Sequence, residues 1–275
     1  MKPLRPVRVL VCLLLAALAL TGCGKAAGAP AAAHSAGPGL SGPAKKEIAM
    51  QLVSSAENST LDWRGQYGYI EDLGDGRGYT AGIIGFCSGT GDLLDVVRRY
   101  VALAPGNLLA KYLPVLDRIM RLPEDQRDTH AGLDPGFVAA WQRAAKDPRF
   151  RQAQNDIRDR EYFDPAVKQA KADGLRTLGQ FIYYDAAVMH GFSGCLDIRR
   201  VALRRAKPPS RGGDEVAYLN AYLDGRVAEM RGGEPDRNVS RVDTEQRVFL
   251  RARNMDLGPP LAWRTFGDSY SIKPS

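Results

Sequence analysis

The chain has 275 residues, of which 44% are hydrophobic and 25% are charged, and its formal net charge is +7. These values are ordinary for a globular protein, and the length suffices for one sizeable domain or for two lobes that share a core. Basic residues are mixed with acidic ones along predicted helix faces, as in 154–161, and form no stripe with interleaved aromatic residues. We therefore expect no nucleic-acid partner.

The amino terminus has the pattern of an export signal. Three basic residues precede an apolar run at 9–20, which is too short to span a bilayer comfortably. The run ends in Leu20-Thr21-Gly22-Cys23, which resembles a bacterial lipoprotein box, where the cysteine becomes lipidated. We predict a signal peptide at 1–22 and a lipid on Cys23 that holds a secreted protein on the outer face of the membrane. An ordinary cleaved signal is the alternative.

The segment that follows Cys23 is not expected to fold. Residues 24–43 consist almost entirely of Gly, Ala, Pro and Ser, so we predict a flexible linker over 23–43 and a folded domain over 44–275. Two cysteines, Cys87 and Cys195, lie in the domain. Export permits a disulfide, but one distant pair is weak evidence for it, and Cys87 in an apolar stretch fits a buried thiol.

Hydrophobic periodicity predicts a mainly helical domain with one small β region at about 66–86. Asp92 and Ser240 each have the pattern of a helix cap, and the segment 175–189 is the most apolar, which favours a central core position. We expect proline to interrupt two helical stretches, at Pro114 and Asp164-Pro165, and we expect an irregular tail from Pro259. The predicted helices are 45–57, Asp92 to before Pro105, 107–122, 137–146, 147–160, 166–172, 175–189, 215–231 and 240–251, with a basic helix inside 191–213.

Two carboxylates occupy positions that would suit acid/base chemistry. Glu57 ends the first predicted helix, and Asp75 lies 18 positions later in the glycine-rich turn 74–78. Two carboxylates on separate elements that face a gap are the arrangement needed for cleavage of a glycosidic bond. Each residue also has an ordinary explanation, because Glu57 fits a solvated charge and Asp75 fits a turn former.

The sequence lacks the motifs of other catalytic chemistries. The sequence has no HExxH, no CxxC pair and no His/Cys cluster at metal-ligand spacing, so we expect neither a metal nor a cofactor. It also has no GxSxG motif, and no Ser/His/Asp set stands out among three histidines.

Five long stretches resemble chitosanases of glycoside hydrolase family 46. They are SSAENS at 54–59, the stretch from DWRG to GTGD at 62–92, QAQNDIRDREYFDPA at 152–166, ADGLRTLGQFIYYDAAVMHG at 172–191 and SRVDTEQRVFL at 240–250. The resemblance covers the chain from Lys45 to the carboxy terminus. It implies a mainly α (α+β), two-lobed, lysozyme-like fold with a small β region and a cleft between the lobes. It also implies endo-hydrolysis of β-1,4-linked glucosamine chains with inversion at the anomeric carbon.

The resemblance assigns catalytic roles to three residues. Glu57 matches the general acid that protonates the leaving oxygen, Asp75 matches the general base, and Thr80 matches the residue that helps to hold the attacking water. Inversion requires room for that water, so the two carboxylates should lie well apart. Arg77 matches an arginine near the catalytic centre, and a cation there would keep Asp75 ionised, as a base must be.

The resemblance also implies residues that contact the substrate. Asp92 matches an acidic residue that contacts a substrate amino group, although it could serve only as a helix cap. Tyr69 and His190 match residues that line the subsites, and His190 fits a core histidine at a helix end equally well. Chitosan is polycationic, so the cleft should be locally acidic, and Glu71 contributes to that charge.

A second group of matched residues would support the site. Asp185 lies on an apolar helix face, where an unpaired charge is costly. Its family counterpart joins two arginines, here Arg226 and Arg241, in an ion network behind the acid. The chain departs from the family pattern in two places, with a shorter segment between His190 and Ile198 and fewer acidic residues in 231–240.

We therefore expect an exported, monomeric chitosanase that acts without a cofactor and meets the membrane only through its lipid anchor. One alternative is a weakly catalytic or non-catalytic lipoprotein that binds chitosan oligosaccharides and presents them to an importer. A second is a lysozyme-like enzyme that cleaves peptidoglycan, against which the acidic cleft argues.

Overall fold

The computed structural model describes residues 37–274. The predicted signal peptide at 1–22, the lipidation site Cys23 and the linker as far as residue 36 lie outside the described residues. Within 37–274, no helix is both long and apolar enough to cross a membrane.

The described chain is mostly helical, as predicted. Its α-helices are α1 Pro43–Glu57, α2 Asp92–Leu103, α3 Leu113–Met120, α4 Phe137–Ala144, α5 Pro148–Arg158, α6 Asp164–Ala172, α7 Thr177–Leu203, α8 Glu215–Arg231 and α9 Arg247–Arg251. A π-helical turn, Asp159–Phe163, joins α5 to α6, and a second one, Arg241–Gln246, leads into α9.

Two small antiparallel sheets accompany the helices in the part of the chain described. The first consists of β1 Ile70–Asp72, β2 Tyr79–Ala81 and β3 Phe86–Cys87, and it exceeds the β region predicted for about 66–86 by one residue. The second is the hairpin of β4 Leu261–Thr265 and β5 Asp268–Ile272.

Helix α7 is the centre of the core, as its apolar sequence predicts. Residues 177–187 of this helix are buried, and α7 packs against α1, α6 and α8. Gly191 then interrupts the helix with φ 71° and ψ 163°, a left-handed conformation that glycine adopts without a Cβ clash. The interruption places His190 at the end of the buried half.

Two groups of elements meet at the end of α1. In one group, α2 packs against α5, and α4 packs against β1. In the other, α7 packs against α8, and the turn 241–246 packs against β4. The last residue of α1, Glu57, contacts both groups, because it binds Arg241 and lies beside Gly85 between β2 and β3.

The folded region begins earlier than the boundary predicted at Ala44. Leu40 is fully buried, and its backbone N–H donates to Gln180 Oε1 at 2.9 Å. A short 3-10 helix, Gly39–Ser41, leads directly into α1. The composition of 37–43 suits a linker, but one buried leucine anchors the segment to α7.

The irregular tail predicted from Pro259 is wrong, since the chain forms the β4–β5 hairpin there. Burial alternates along β4, with Leu261, Trp263 and Thr265 inside. Trp263 donates its indole N–H to Ser55 Oγ at 3.0 Å and so fixes the hairpin to α1. The sequence Leu-Ala-Trp-Arg-Thr does not alternate between apolar and polar residues, so the burial pattern of the strand is not visible in it.

Of the two predicted interruptions, the break at Pro114 is confirmed, because α3 begins only at Leu113, whereas the stop at Pro165 is wrong. Pro165 and Pro114 lie in the first turns of α6 and α3, where the missing N–H would have no partner in any case. The π-helical turn before α6 lets the chain continue from α5 without a stop.

Neither Asp92 nor Ser240 acts as the helix cap that the sequence predicts. Gly91, not Asp92, occupies the cap position of α2, and Asp92 is the first residue of the helix. Ser240 makes no cap hydrogen bond, and its hydroxyl instead accepts from the backbone N–H of Phe266 at 2.8 Å.

Candidate active site

Glu57 is held from behind by a buried arginine. Its side chain is 23% exposed, and Oε1 accepts a hydrogen bond from Arg241 Nη1. Oε2 lies on the other side, 3.5 Å from the position that a Cβ on Gly85 would occupy. One oxygen is therefore fixed to the core, and the other lies beside the first sheet.

Arg241 is in turn bound to a fully buried aspartate. Asp185 on α7 has no exposed surface and accepts from Arg241 Nη2 at 2.7 Å and from Arg226 Nη1 at 2.6 Å. Gln246 adds a third donor at 2.6 Å. Burial alone raises the pKa of Asp185, but the two arginines outweigh it and lower the pKa to about 2. The structure thus brings Asp185, Arg226 and Arg241 together behind Glu57.

Asp75 lies in the exposed turn that joins β1 to β2. Gly74 and Gly76 flank it with φ values of 66° and 81°, which allow a tight turn, and no atom lies within 4 Å of their Cβ positions. Arg77 donates to Asp75 Oδ2 from Nη2 at 2.6 Å and from Nε at 3.0 Å. These hydrogen bonds lower the pKa of Asp75 below its usual value, so the carboxylate stays ionised near neutral pH.

Arg77 connects the two carboxylates electrostatically. The hydrogen bond with Asp75 raises the pKa of Arg77, and the negative charges of Asp75 and Glu57 act in the same direction. Asp75 lies in the turn that joins β1 to β2, and Thr80 on β2 lies beside Glu57, so both carboxylates border the first sheet.

Thr80, on β2 of the first sheet, lies next to Glu57. The Cβ position of Gly85 is 3.3 Å from Thr80 Cγ2 as well as 3.5 Å from Glu57 Oε2. Thr80 pairs with Glu71 across β1 and β2, so their side chains share one face of the sheet. Tyr69, two residues before Glu71, donates its hydroxyl to Glu71 at 3.2 Å. Tyr69, Glu71, Thr80 and Glu57 are therefore neighbours at the first sheet, where Thr80 is only 6% exposed.

Asp92 is partly buried, and four donors hold its carboxylate. Its carboxylate accepts from the backbone N–H groups of Cys87 and Leu93 and from the hydroxyls of Thr90 and Tyr162, at 2.6 to 3.0 Å. Burial raises the pKa of Asp92, although the four hydrogen-bond donors act to lower it. The carboxylate thus fixes the start of α2 to β3 and to the turn before α6.

His190 lies near the ion network. Burial lowers its pKa to about 4, and the charges of Arg226 and Arg241 act in the same direction. The imidazole is therefore neutral at pH 7, and its Nε2 has no hydrogen-bond partner within residues 37–274. The cysteines Cys87 and Cys195 are both buried and free.

Sequence reasoning missed a set of residues that support the turn of Asp75. The His130 ring stacks on Tyr79 at 4.1 Å, and its Nε2 lies 3.2 Å from Asp72 Oδ2. The Tyr79 hydroxyl donates to Asp134 at 2.9 Å. Because the loop at 130–134 is more than 50 residues from the turn, no local pattern connects the two. The partly buried Tyr162 and the buried Glu245 were missed for the same reason.

A family model describes this chain directly. Residues 51–261 match the model for glycosyl hydrolase family 46. The chain belongs to glycosyl hydrolase family 46. It is therefore a glycoside hydrolase, and the resemblance noted in the sequence is confirmed.

Curated relatives and a solved structure agree with this family. A chitosanase from Streptomyces sp. (strain N174) is 59% identical over 94% of this chain and 92% of its own length. A chitosanase from Nocardioides sp. (strain N106) is 58% identical over 93% of this chain and 91% of its own. The co-crystal structure of chitosanase OU01 with substrate has a TM-score of 0.79 and 53% identity, covering 86% of this chain and 99% of that one. The expected two-lobed, lysozyme-like fold is confirmed by the family 46 neighbours.

No group of His, Cys, Asp or Glu side chains that could hold a metal ion is present in the described part of the chain.

The D185N variant should lose about 3 to 5 kcal/mol of unfolding free energy at pH 7, because it leaves two buried arginines short of a counter-charge. The folded pKa of Asp185, about 2, lies below the unfolded value, so its contribution is present above about pH 4 and is lost as the pH falls towards 2. Urea unfolding from pH 7 to 2 should show this loss in the wild type and a smaller loss in the variant.

The matched control is D197N, on the same helix. Asp197 pairs with Arg200 in solvent, where its side chain is 59% exposed, so this variant should stay within about 0.5 kcal/mol of the wild type. Equal stabilities of D185N and D197N would contradict the importance of the buried network.

Proposed function

We propose that this protein hydrolyses internal β-1,4 bonds between glucosamine units of chitosan, with inversion at the anomeric carbon. The observation that carries the proposal is membership in family 46 together with 59% identity to a chitosanase. The geometry adds two carboxylates on separate elements, Glu57 at the end of α1 and Asp75 in the turn between β1 and β2.

Glu57 is the general acid in this proposal. Arg241 occupies Oε1 from the protein side, which leaves Oε2 to carry the proton and to face the substrate. A proton on Oε2 passes to the glycosidic oxygen as the bond to the anomeric carbon breaks, so the leaving sugar departs as a neutral alcohol. The hydrogen bond from Arg241 fixes the carboxyl group in one orientation for this step.

Asp75 is the general base on the opposite side of the sugar. Its hydrogen bonds with Arg77 keep it ionised, and its exposed turn leaves it open to solvent. The carboxylate takes a proton from the water that attacks the anomeric carbon, and the Thr80 hydroxyl helps to hold that water. Inverting enzymes separate their carboxyl groups by about 6.5 to 9.5 Å, so that the water fits between base and sugar.

The substrate surface suits a chain of ammonium-bearing sugars. Glu71 and Asp72 are exposed on β1 and supply negative charge beside the proposed base. Tyr69 on the same face offers a ring for sugar contact. His190 is neutral at pH 7, so it does not repel the polycation, and Asp92 has a carboxylate near the same sheet.

We also propose that the protein acts outside the cell as a monomer. The basic, apolar and Leu-Thr-Gly-Cys pattern of the first 23 residues supports export and a lipid on Cys23. A polysaccharide substrate of this size is met outside the cell, which agrees with export.

The E57Q variant should lose at least about a hundredfold in chitosan cleavage, because glutamine cannot donate the acid proton. It should still bind glucosamine oligosaccharides, since glutamine keeps the shape of the side chain. Release of reducing ends from chitosan, chitin and peptidoglycan measures activity and substrate class, and calorimetry with an oligosaccharide measures binding. The control E47Q, also on α1, should retain full activity. Full turnover by E57Q would refute the acid assignment.

The R77Q variant tests the base. Arg77 lowers the pKa of Asp75, so its removal should raise that pKa and move the acidic limb of kcat/KM to higher pH. Activity should fall most at about pH 5, while the basic limb stays in place. The R64Q variant removes an exposed arginine that pairs with Glu47, and it should leave both limbs unchanged. An acidic limb of R77Q that coincides with that of the wild type would show that Asp75 is not the titrating base.

A further inference from the structure

Thr80 occupies the middle of a row of side chains across the first sheet. Glu71 on β1 and Cys87 on β3 are its direct cross-strand partners, so the three side chains share one face. The row runs from solvent into the core, because Glu71 is exposed, Thr80 is 6% exposed and Cys87 is 2% exposed. Cys87 therefore lies on the buried side of the residue proposed to hold the attacking water.

The thiol of Cys87 contacts the hydroxyl of Thr80. Its Sγ lies 3.5 Å from Thr80 Oγ1, a distance that suits a hydrogen bond to sulfur, and this is the hydrogen bond that Thr80 Oγ1 makes within residues 37–274. The same Sγ lies 3.3 Å from the carbonyl oxygen of Gly85. Burial raises the pKa of the Cys87 thiol, so the thiol keeps its one proton at neutral pH.

These two contacts give each hydrogen bond a direction. A carbonyl oxygen can only accept, so the Cys87 thiol donates its proton to Gly85. The sulfur then accepts from Thr80, whose hydroxyl proton is turned into the core. A hydroxyl has one proton and two lone pairs, so Thr80 keeps its lone pairs for a donor on the cleft side.

The sulfur is held in place by the backbone on which it lies. The backbone N–H of Cys87 donates to Asp92 Oδ1 at 2.8 Å, and β3 pairs with β2 at this residue. Cys87 is thus fixed to the start of α2 on one side and to the strand of Thr80 on the other. Its position behind Thr80 does not depend on a mobile side chain.

The attacking water needs acceptors from the protein. In the proposed inversion, a lone pair of the water faces the anomeric carbon and one of its protons passes to Asp75. The second proton of the water needs an acceptor, which a lone pair of Thr80 Oγ1 supplies. A Thr80 proton directed at the water would instead occupy the lone pair that must attack.

We propose that Cys87 is a positioning residue for the attacking water, because its sulfur accepts the Thr80 hydroxyl proton and so leaves Thr80 as an acceptor for that water. Cys87 acts through Thr80 and does not touch the substrate. No covalent bond to sulfur forms or breaks in the reaction. The inference rests on the proposed role of Thr80 in the hydrolysis of chitosan.

The first test compares kcat and KM of C87A and C87S on chitosan. Alanine removes the acceptor, so Thr80 can turn its proton to the water, and kcat should fall about five- to tenfold with KM unchanged. Serine offers an oxygen that accepts in the same place, so C87S should regain most of the lost kcat. A C87A variant with the kcat of the wild type, or a C87S variant as slow as C87A, would overturn the inference.

The matched control is C195A. Cys195 is also a buried free thiol, and its sulfur accepts from the Tyr222 hydroxyl at 3.2 Å. C195A removes the same atoms from the core, so it should lose stability in urea as C87A does, yet it should keep the kcat of the wild type. An equal fall of kcat in C195A and C87A would show a general packing effect and would contradict the inference.

A double-mutant cycle with T80V tests whether Cys87 acts through Thr80. Valine keeps the shape of threonine but has no hydroxyl, so C87A should not lower kcat further in the T80V background. If C87A lowers kcat as much in T80V as in the wild type, Cys87 acts by another route and the inference is wrong. If T80V itself keeps full kcat, the proposed role of Thr80 fails, and the inference fails with it.

Discussion

The structure depends on one buried arginine that binds two carboxylates. Arg241 is almost wholly buried and donates to Asp185 in the core and to Glu57 at the surface of the cleft. A guanidinium taken out of water is stabilised only where its donors find anionic acceptors in good geometry. Two helices satisfy this need, because Asp185 lies on α7 and Glu57 ends α1, while Arg226 on α8 also donates to Asp185. The proposed acid is therefore also a structural counter-ion.

The two proposed catalytic carboxylates differ in their surroundings, and the difference suits opposite roles. Glu57 is mostly buried at the end of a helix, with one oxygen fixed by the core. Asp75 lies in a glycine turn in solvent, where Arg77 keeps it charged. The supports also differ, since His130 and Tyr79 fix the turn of Asp75 through stacking and hydrogen bonds.

Local sequence signals predict the helices well because burial repeats with the helical period. The position of Glu57 at a helix end follows from the apolar face of 45–57, which stops there. The partners of Asp185 follow only from the family resemblance, since Arg226 and Arg241 lie 41 and 56 residues away. Composition alone misplaces the start of the folded region, because the buried Leu40 anchors a Gly/Pro-rich segment that looks like a linker. Glu245 could not be found at all, since an acidic residue in a polar helix looks solvated until the packing is known.

The most direct test of the account is the stereochemistry of the first product. Proton NMR that follows chitosan hydrolysis from the first seconds distinguishes the two anomers before they interconvert. An acid at Glu57 and a water-activating base at Asp75 on opposite faces of the sugar predict that the α-anomer appears first from the β-linked chain. If the β-anomer appears first, a carboxylate attacks the sugar directly, and the roles assigned to Glu57 and Asp75 are wrong.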